Sequence, residues 1–221
     1  MTFDEVFHDR RSIRSYTRDP VPRQLIEEIL SEARWCPSWA NTQPWEVLVV
    51  QGEPLERFRQ GQVAKVAAHA TGQPDVPTPE KFAPPWQERV MQVGKSCLDA
   101  KGIAREDREA RNQYYEEMFT LFGAPVMLVF LLDESLNIPY GMMDVGIYMQ
   151  SVCLAAQRRG LGTLIVSTVI KYPDLLRPVL PLPEGKRAVM GMALGYPDRI
   201  APINQFERQR VPTDQFVTWV G

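Results

Sequence analysis

The chain has 221 residues, 44% of them hydrophobic, and a formal net charge of −2. That length allows one large domain or two small ones, with enough apolar content for a real core. A net charge this small sets up no global field for nucleic acid or an anionic membrane, so clustered arginines read as a local site. Cys36, Cys97 and Cys153 are far apart, which predicts buried free thiols in a reducing compartment and not a disulfide framework. No N-terminal segment reads as a signal peptide and no run is long enough to span a bilayer. The expectation is a soluble, cytoplasmic protein.

Thr2-Phe3-Asp4-Glu5 matches a capping box and predicts a short helix leading into Arg10-Arg11-Ser12-Ile13-Arg14. If that stretch is extended, Arg10, Ser12 and Arg14 share one side and Arg11 and Ile13 the other. Two guanidiniums on one face repel each other unless an anion sits between them. Phosphate suits such a face, because each guanidinium grips two oxygens. A solvated basic turn is the other reading of these five residues. After the turn Asp19-Pro20-Val21-Pro22, the spacing of Leu25, Ile26, Ile29, Leu30 and Ala33 predicts a helix that Pro37 stops. The loop Pro37-Ser38-Trp39-Ala40-Asn41-Thr42-Gln43-Pro44-Trp45 then offers many short polar side chains. They suit a polar ligand, or a turn that bonds its own backbone. Glu46 to Val50 reads as a strand covered on both faces.

Leu55, Phe58, Val66, Ala67 and Ala70 suggest a helix, and Thr71 to Pro85 is a proline-rich, irregular excursion. Helices are expected near 86–101 and 103–121. The second is charged at first and then aromatic, with Tyr114, Tyr115, Phe119 and Phe122. That mixture fits a cover over a pocket, or a peripheral helix with one buried face. Pro125 to Leu132 is a strongly apolar strand. The helix Met142 to Arg159 follows, with Arg158 and Arg159 at its negative end and Gly160 at its cap. Leu161 to Thr168 is a third strand running into a small-residue turn. Tyr172 to Leu180 is a short helix ended by prolines 178, 181 and 183, and Arg187 to Leu194 is a fourth strand. Near the C-terminus Arg208-Gln209-Arg210 again sets two cations one residue apart. The apolar end Phe216-Val217-Thr218-Trp219 is expected to dock on a body. Strands separated by helices predict one domain, residues 1–221, of α/β or α+β type with a central mixed sheet flanked by helices.

Several chemistries are missing. There is no G-x-G-x-x-G and no G-x-x-x-x-G-K-[ST], so neither a dinucleotide-binding Rossmann half nor a P-loop is expected. His8 and His69 form no H-E-x-x-H and no ligand pair with a cysteine, which argues against a zinc site. No G-x-S-x-G supports a serine hydrolase. What remains is an anion site built from arginines of both chain ends, which calls for a phosphate-bearing cofactor.

These pieces together resemble the FMN-dependent nitroreductase family. The resemblance rests on the Arg10–Arg14 stretch, the Pro37–Trp45 loop, Gly160-Leu161-Gly162-Thr163, Ala193-Leu194-Gly195-Tyr196-Pro197 and Arg208-Gln209-Arg210, in the family's order. Residues of about 60–122 match no motif of it; they form a helical or irregular excursion near the substrate pocket. The resemblance implies a homodimer with two interfacial FMN sites and an extended C-terminal arm. It puts Arg10, Arg11, Ser12 and Arg14 at the cofactor, with Arg11 contributing least because alternation turns it away. Arg14 would lie toward the pyrimidine edge, where negative charge develops on hydride addition, and Arg208 and Arg210 at the phosphate. Pro37, Ser38, Trp39 and Asn41 would come from the other subunit. The turn Ile165, Val166, Ser167 and Thr168 would pass the flavin ring, although relatives carry Pro and Glu there. The implied reaction is ping-pong, from NADH or NADPH through FMN to a small aromatic acceptor, nitroaromatic or quinone. FMN carries the chemistry, so no side chain is needed as acid or nucleophile. Trp39, Tyr114, Tyr115, Phe119 and Phe122 are candidates for shaping the acceptor pocket. Flavin reduction, enoate reduction, reductive dehalogenation and non-catalytic flavin binding keep the same fold and remain alternatives.

Overall fold

The structure, a computed structural model, describes residues 1–221. Its centre is β2 (Val126–Asp133), in which every residue before Asp133 is buried. Side chains alternate across a strand, so β2 feeds two cores at once. Met127, Val129 and Leu131 join one core with Leu55, Phe58 and Leu176. Val126, Leu128, Phe130 and Leu132 join the other with Ile26, Ile29, Val145, Val152 and Ala156. Each such Val, Leu, Ile, Phe or Met side chain contributes about 1.5–3 kcal/mol when fully buried. The first core is covered by α3 (Glu53–Ala67) and α7 (Pro173–Val179), the second by α2 (Arg23–Ala33) and α6 (Ile138–Arg158).

The strands β1 (Glu46–Gln51), β2, β3 (Gly162–Val166) and β4 (Lys186–Gly195) form one sheet in the order β1-β2-β4-β3. All three pairings are antiparallel. The architecture is therefore α+β. The expected mixed sheet is replaced by an antiparallel one whose only parallel pairing is an isolated bridge between Ser12 and Thr163. A helix-linked strand can enter a sheet in either direction, depending on which end its connection returns to. Local pattern does not encode that choice.

Local signals account for most element ends. The side-chain hydroxyl of Thr2 accepts from the Glu5 N–H, and the Glu5 carboxylate accepts from the Thr2 N–H at 2.7 Å, closing the capping box of α1 (Phe3–Asp9). Asn137 caps α6, whose other end is tied to α2 by Arg158 and Arg159 on the Glu32 carboxylate. Three expectations change. Pro178 lies inside the last turn of α7, and the helix stops one residue later, at Val179. β1 is an edge strand and leaves Val49 39% exposed, so it is not covered on both faces. Trp219 is 91% exposed, and Phe216 and Val220 are exposed with it, so the apolar chain end docks on nothing in its own chain. Cys97 and Cys153 are buried free thiols, and Cys36 is a half-buried one. No helix is long and apolar enough to cross a membrane.

Candidate functional site

The Arg10–Arg14 stretch is clipped to the free edge of β3. Ser12 bridges Thr163, and the Ile13 N–H donates to the Thr163 carbonyl at 2.9 Å. Ile13 is buried over Gly162, where any Cβ would overlap its side chain. The C-terminal segment folds back onto the same stretch through Asn204, a buried side chain. Its Oδ1 accepts from the Arg14 N–H at 2.8 Å, and its Nδ2 donates to the carbonyls of Ser15 and Asp198 at 2.8 and 2.9 Å. Arg208 donates to the backbone carbonyls of His8 and Arg10, and Arg11 to that of Phe206. The two chain ends are thus joined by side chain–backbone bonds that cross almost the whole sequence.

This junction encloses a cavity of about 530 Å³, within the range of small-molecule sites. Arg10, Arg11, Ser12, Arg14, Arg208 and Arg210 all line it. Alternation was expected to turn Arg11 away. The stretch is not a regular strand, however, with one bridge only, and the Arg11 guanidinium reaches round to the Phe206 carbonyl and sits 5.7 Å from the Phe206 ring. No arginine of the cavity has a carboxylate within 4.0 Å. Burial, and then the neighbouring Arg14, lowers the Arg11 pKa. Burial, and then Arg11, Arg10 and Arg210, lowers that of Arg208. Charges held this close without a counter-ion favour an anion between them. A third wall is α4 (Trp86–Ala100), within the excursion expected near the substrate pocket: Arg89, Gln92 and Ser96, which the sequence did not single out, line the cavity at helical spacing.

The polar loop is organised elsewhere. The Trp39 N–H donates to Asp144 Oδ1 of α6 at 3.0 Å, the Thr42 hydroxyl lies 3.4 Å from Oδ2, and the Gln43 N–H donates to the Ser38 hydroxyl at 2.9 Å. Ala40, Asn41 and Gln43 sit at φ of 48°, 58° and 47°. Those three left-handed residues give the loop its tight path. The chain does not bring Pro37, Ser38, Trp39 or Asn41 to its own arginine cavity; Trp39 and Asn41 face outward, with Trp39 against Tyr140. Asp144 was missed, although an acid inside the apolar face of a helix is a signal that something polar docks there.

At the end of β3 and just beyond it, Ile165 and Ser167 point outward while Val166 is buried. The Thr168 hydroxyl donates to the Met118 carbonyl at 3.2 Å, and its own carbonyl accepts from the fully buried Gln62 at 2.9 Å. This turn is rigidly held but does not line the arginine cavity. The aromatic candidates separate. Tyr114 is a core residue packed with Phe122 and beside Cys97, so it shapes no open pocket. Burial, helped by Cys97, raises its pKa. Phe122 is mostly buried and reaches a second cavity that it shares with Arg14, Lys101 and Glu117. Phe119 packs on Tyr172 with the Lys171 ammonium 5.0 Å from its ring. Tyr115, on α5 (Arg108–Phe119), is exposed. The period of the helix separates Tyr114 from Tyr115, and only the packing decides which of them is inside.

Residues 8–196 match the Nitroreductase family. The chain is 34% identical to a chloronitrobenzene nitroreductase of Comamonas testosteroni over 98% of its length and 96% of the relative's. It is also 34% identical to a nitrobenzene nitroreductase of Ectopseudomonas oleovorans, over 98% and 96%. The crystal structure of the FMN- and NADPH-dependent nitroreductase NfnB from Sphigopyxis sp. strain HMH superimposes with a TM-score of 0.94, at 31% identity, covering 100% of both chains. The chain belongs to the nitroreductase family.

Proposed function

We propose that this chain is an FMN-dependent NAD(P)H oxidoreductase that reduces nitroaromatic acceptors. The observation that carries the reading is the set of arginines, from both chain ends, which share one cavity and have no carboxylate partner. The donor set fits a phosphate-bearing flavin: guanidiniums and the Ser12 hydroxyl for the phosphate and its neighbourhood, and a separate cation, Arg14, on the wall shared with the second cavity. The relatives, named for chloronitrobenzene, for nitrobenzene and for FMN with NADPH, support the same reading.

In this proposal Arg10, Ser12, Arg208 and Arg210 hold the phosphate. Arg11 and Arg208 also fix the wall by their carbonyl bonds. Arg14 places a fixed positive charge where negative charge develops, which is worth more inside a cavity than in water. FMN held there would supply the electron-transfer chemistry between NADPH or NADH and a nitroaromatic or quinone acceptor, in a ping-pong sequence. No side chain serves as nucleophile. The outward side chains Ile165 and Ser167 mark the face of the turn that meets the ring, with Val166 and Thr168 holding it from behind. Residues 1–221 act as one FMN-binding domain. The functional unit is a homodimer, in which Pro37, Ser38, Trp39 and Asn41 of a second copy complete the site. Exposed Trp39, Tyr140, Met143 and Ile147 support this, since they leave one side of α6 and its loop apolar and uncovered.

The test is an absorption spectrum of the purified protein before and after anaerobic NADPH or NADH, followed by turnover with 4-nitrobenzoate. Flavin bands that bleach, and a nitro group that is consumed, are expected. A colourless protein that binds no added FMN would overturn the proposal. Bleaching without nitroreduction would keep the cofactor and reject the acceptor.

A further inference from the structure

We propose that Arg89 of α4 recognises the 2′-phosphate of NADPH and makes the donor site selective for NADPH over NADH. The proposal rests on the FMN-dependent reading above. The cavity holds more positive charge than one FMN phosphate can use. Arg11 and Arg208 are tied to the carbonyls of Phe206, His8 and Arg10 and build the wall. Arg208 also serves the FMN phosphate with Arg10 and Arg210, and Arg14 serves the flavin ring. A phosphomonoester carries about −1.5 to −2 charges near neutrality, so Arg10, Arg208 and Arg210 already match or exceed it.

Arg89 is a further cation, and it stands on a different element. It is exposed on α4, has no carboxylate within 4.0 Å, and faces the cavity together with Gln92 and Ser96. These three positions are i, i+3 and i+7, one face of the helix. The only other charged residues that line the cavity are Glu207 and the arginines of the two chain ends, and Glu207 pairs with none of them. A hydride donor sets its nicotinamide on the flavin ring, and its adenosine end, which carries the 2′-phosphate, extends well away from the nicotinamide and can lie against the exposed α4 wall of this cavity. NADPH differs from NADH by one phosphomonoester, and a guanidinium flanked by an amide and a hydroxyl is chemistry suited to that group. The 5′-phosphate of FMN offers the same chemistry, so the experiment has to separate the two.

The FMN-loaded protein is compared with Arg89→Met and Arg89→Lys. The position is exposed on an outer helix, so both variants are expected to fold. Arg89→Met should shrink the ratio of kcat/KM for NADPH over NADH by about tenfold or more, the worth of one contact to a charged group. Arg89→Lys should recover part of it. Calorimetric titration reads the phosphate without turnover: adenosine 2′,5′-bisphosphate should bind the parent more tightly than 5′-AMP does, and Arg89→Met should erase that advantage. An unmoved ratio, or an equal loss for both donors, overturns the assignment. A weakened FMN Kd with the ratio intact gives Arg89 to the FMN phosphate and overturns it as well. A protein that binds no FMN defeats the functional reading instead; the bisphosphate titration then still decides on Arg89.

Discussion

Asp144 holds Trp39. The carboxylate, buried on α6, accepts the Trp39 N–H at 3.0 Å and lies 3.4 Å from the Thr42 hydroxyl, although the residues are more than a hundred positions apart. The loop that the functional reading gives to a second copy's flavin site is therefore set by one acid of the core helix. Asp144→Ala removes the acceptor and leaves these donors to find others. It should lower unfolding stability by about 1–3 kcal/mol. Asp144→Asn keeps an acceptor oxygen and should cost less. Urea denaturation of the three proteins decides this, and equal midpoints for Ala and Asn would remove the hydrogen bond from the explanation.

The arginine cluster can be tested one cation at a time. Arg210 lines the cavity, and its only hydrogen bond is to the neighbouring Gln209 carbonyl. Arg210→Ala should weaken FMN retention by ~1.5–3 kcal/mol, as expected for a hydrogen bond to a charged group. Arg11→Ala should act differently. Its guanidinium bonds the Phe206 carbonyl and lies over the Phe206 ring, so its loss should loosen the C-terminal segment, with a smaller effect on FMN. Fluorescence titration with FMN and limited proteolysis after residue 200 measure the two effects. The assignment of Arg210 fails if its FMN affinity matches the parent's.

Two glycines should respond in opposite directions. A Cβ on Gly162 would overlap Ile13, the residue between Ser12 and Arg14. Gly162→Ala should destabilise by about 1–3 kcal/mol through overpacking, and should weaken FMN binding by pushing the arginine stretch off β3. Gly94, in the exposed middle of α4, has nothing within 4 Å of a built Cβ. Gly94→Ala should stabilise by about 0.5–1 kcal/mol, because the helix no longer has to order a glycine. Thermal unfolding reads both signs, and a stabilised Gly162→Ala would contradict the close approach.

Alkaline pH should unfold the protein through its buried tyrosines. Tyr148 stacks on Trp45 at 4.7 Å between ring centres, and its hydroxyl donates to the Leu30 carbonyl at 3.3 Å. Burial, and then the nearby Cys36, pushes its pKa up to about 12. Burial also raises Tyr16 and Tyr114. A folded-state pKa above the unfolded value favours the neutral form in the native protein. Stability from these groups is complete below the unfolded tyrosine pKa of about 10 and is lost as pH rises from there toward the folded values. Chemical denaturation between neutral and strongly alkaline pH should therefore show a declining unfolding free energy. Tyr148→Phe should flatten part of that decline, and an identical slope in the variant would exclude Tyr148 as a cause.

Much of the architecture could be read from residues alone, because its causes are local. The Thr2–Glu5 capping box, the apolar face from Leu25 to Ala33 and the apolar run of β2 are each written in a few consecutive residues. The ordered motifs from Arg10 to Arg210 were enough for the family resemblance, and the arginines of both ends do meet in one cavity. The tertiary structure alone decided the rest. Strand order and direction depend on how connections return to the sheet, which no short window contains. Tyr114 rather than Tyr115 is inside because of where Cys97 and Phe122 lie, and Arg11 joins the cavity because Phe206 is folded back within its reach. The third wall, with Arg89, exists only because the excursion that follows α3 returns α4 to the junction of the chain ends. Hydrophobic period and capping are properties of neighbours in sequence, whereas a binding site is a property of neighbours in space.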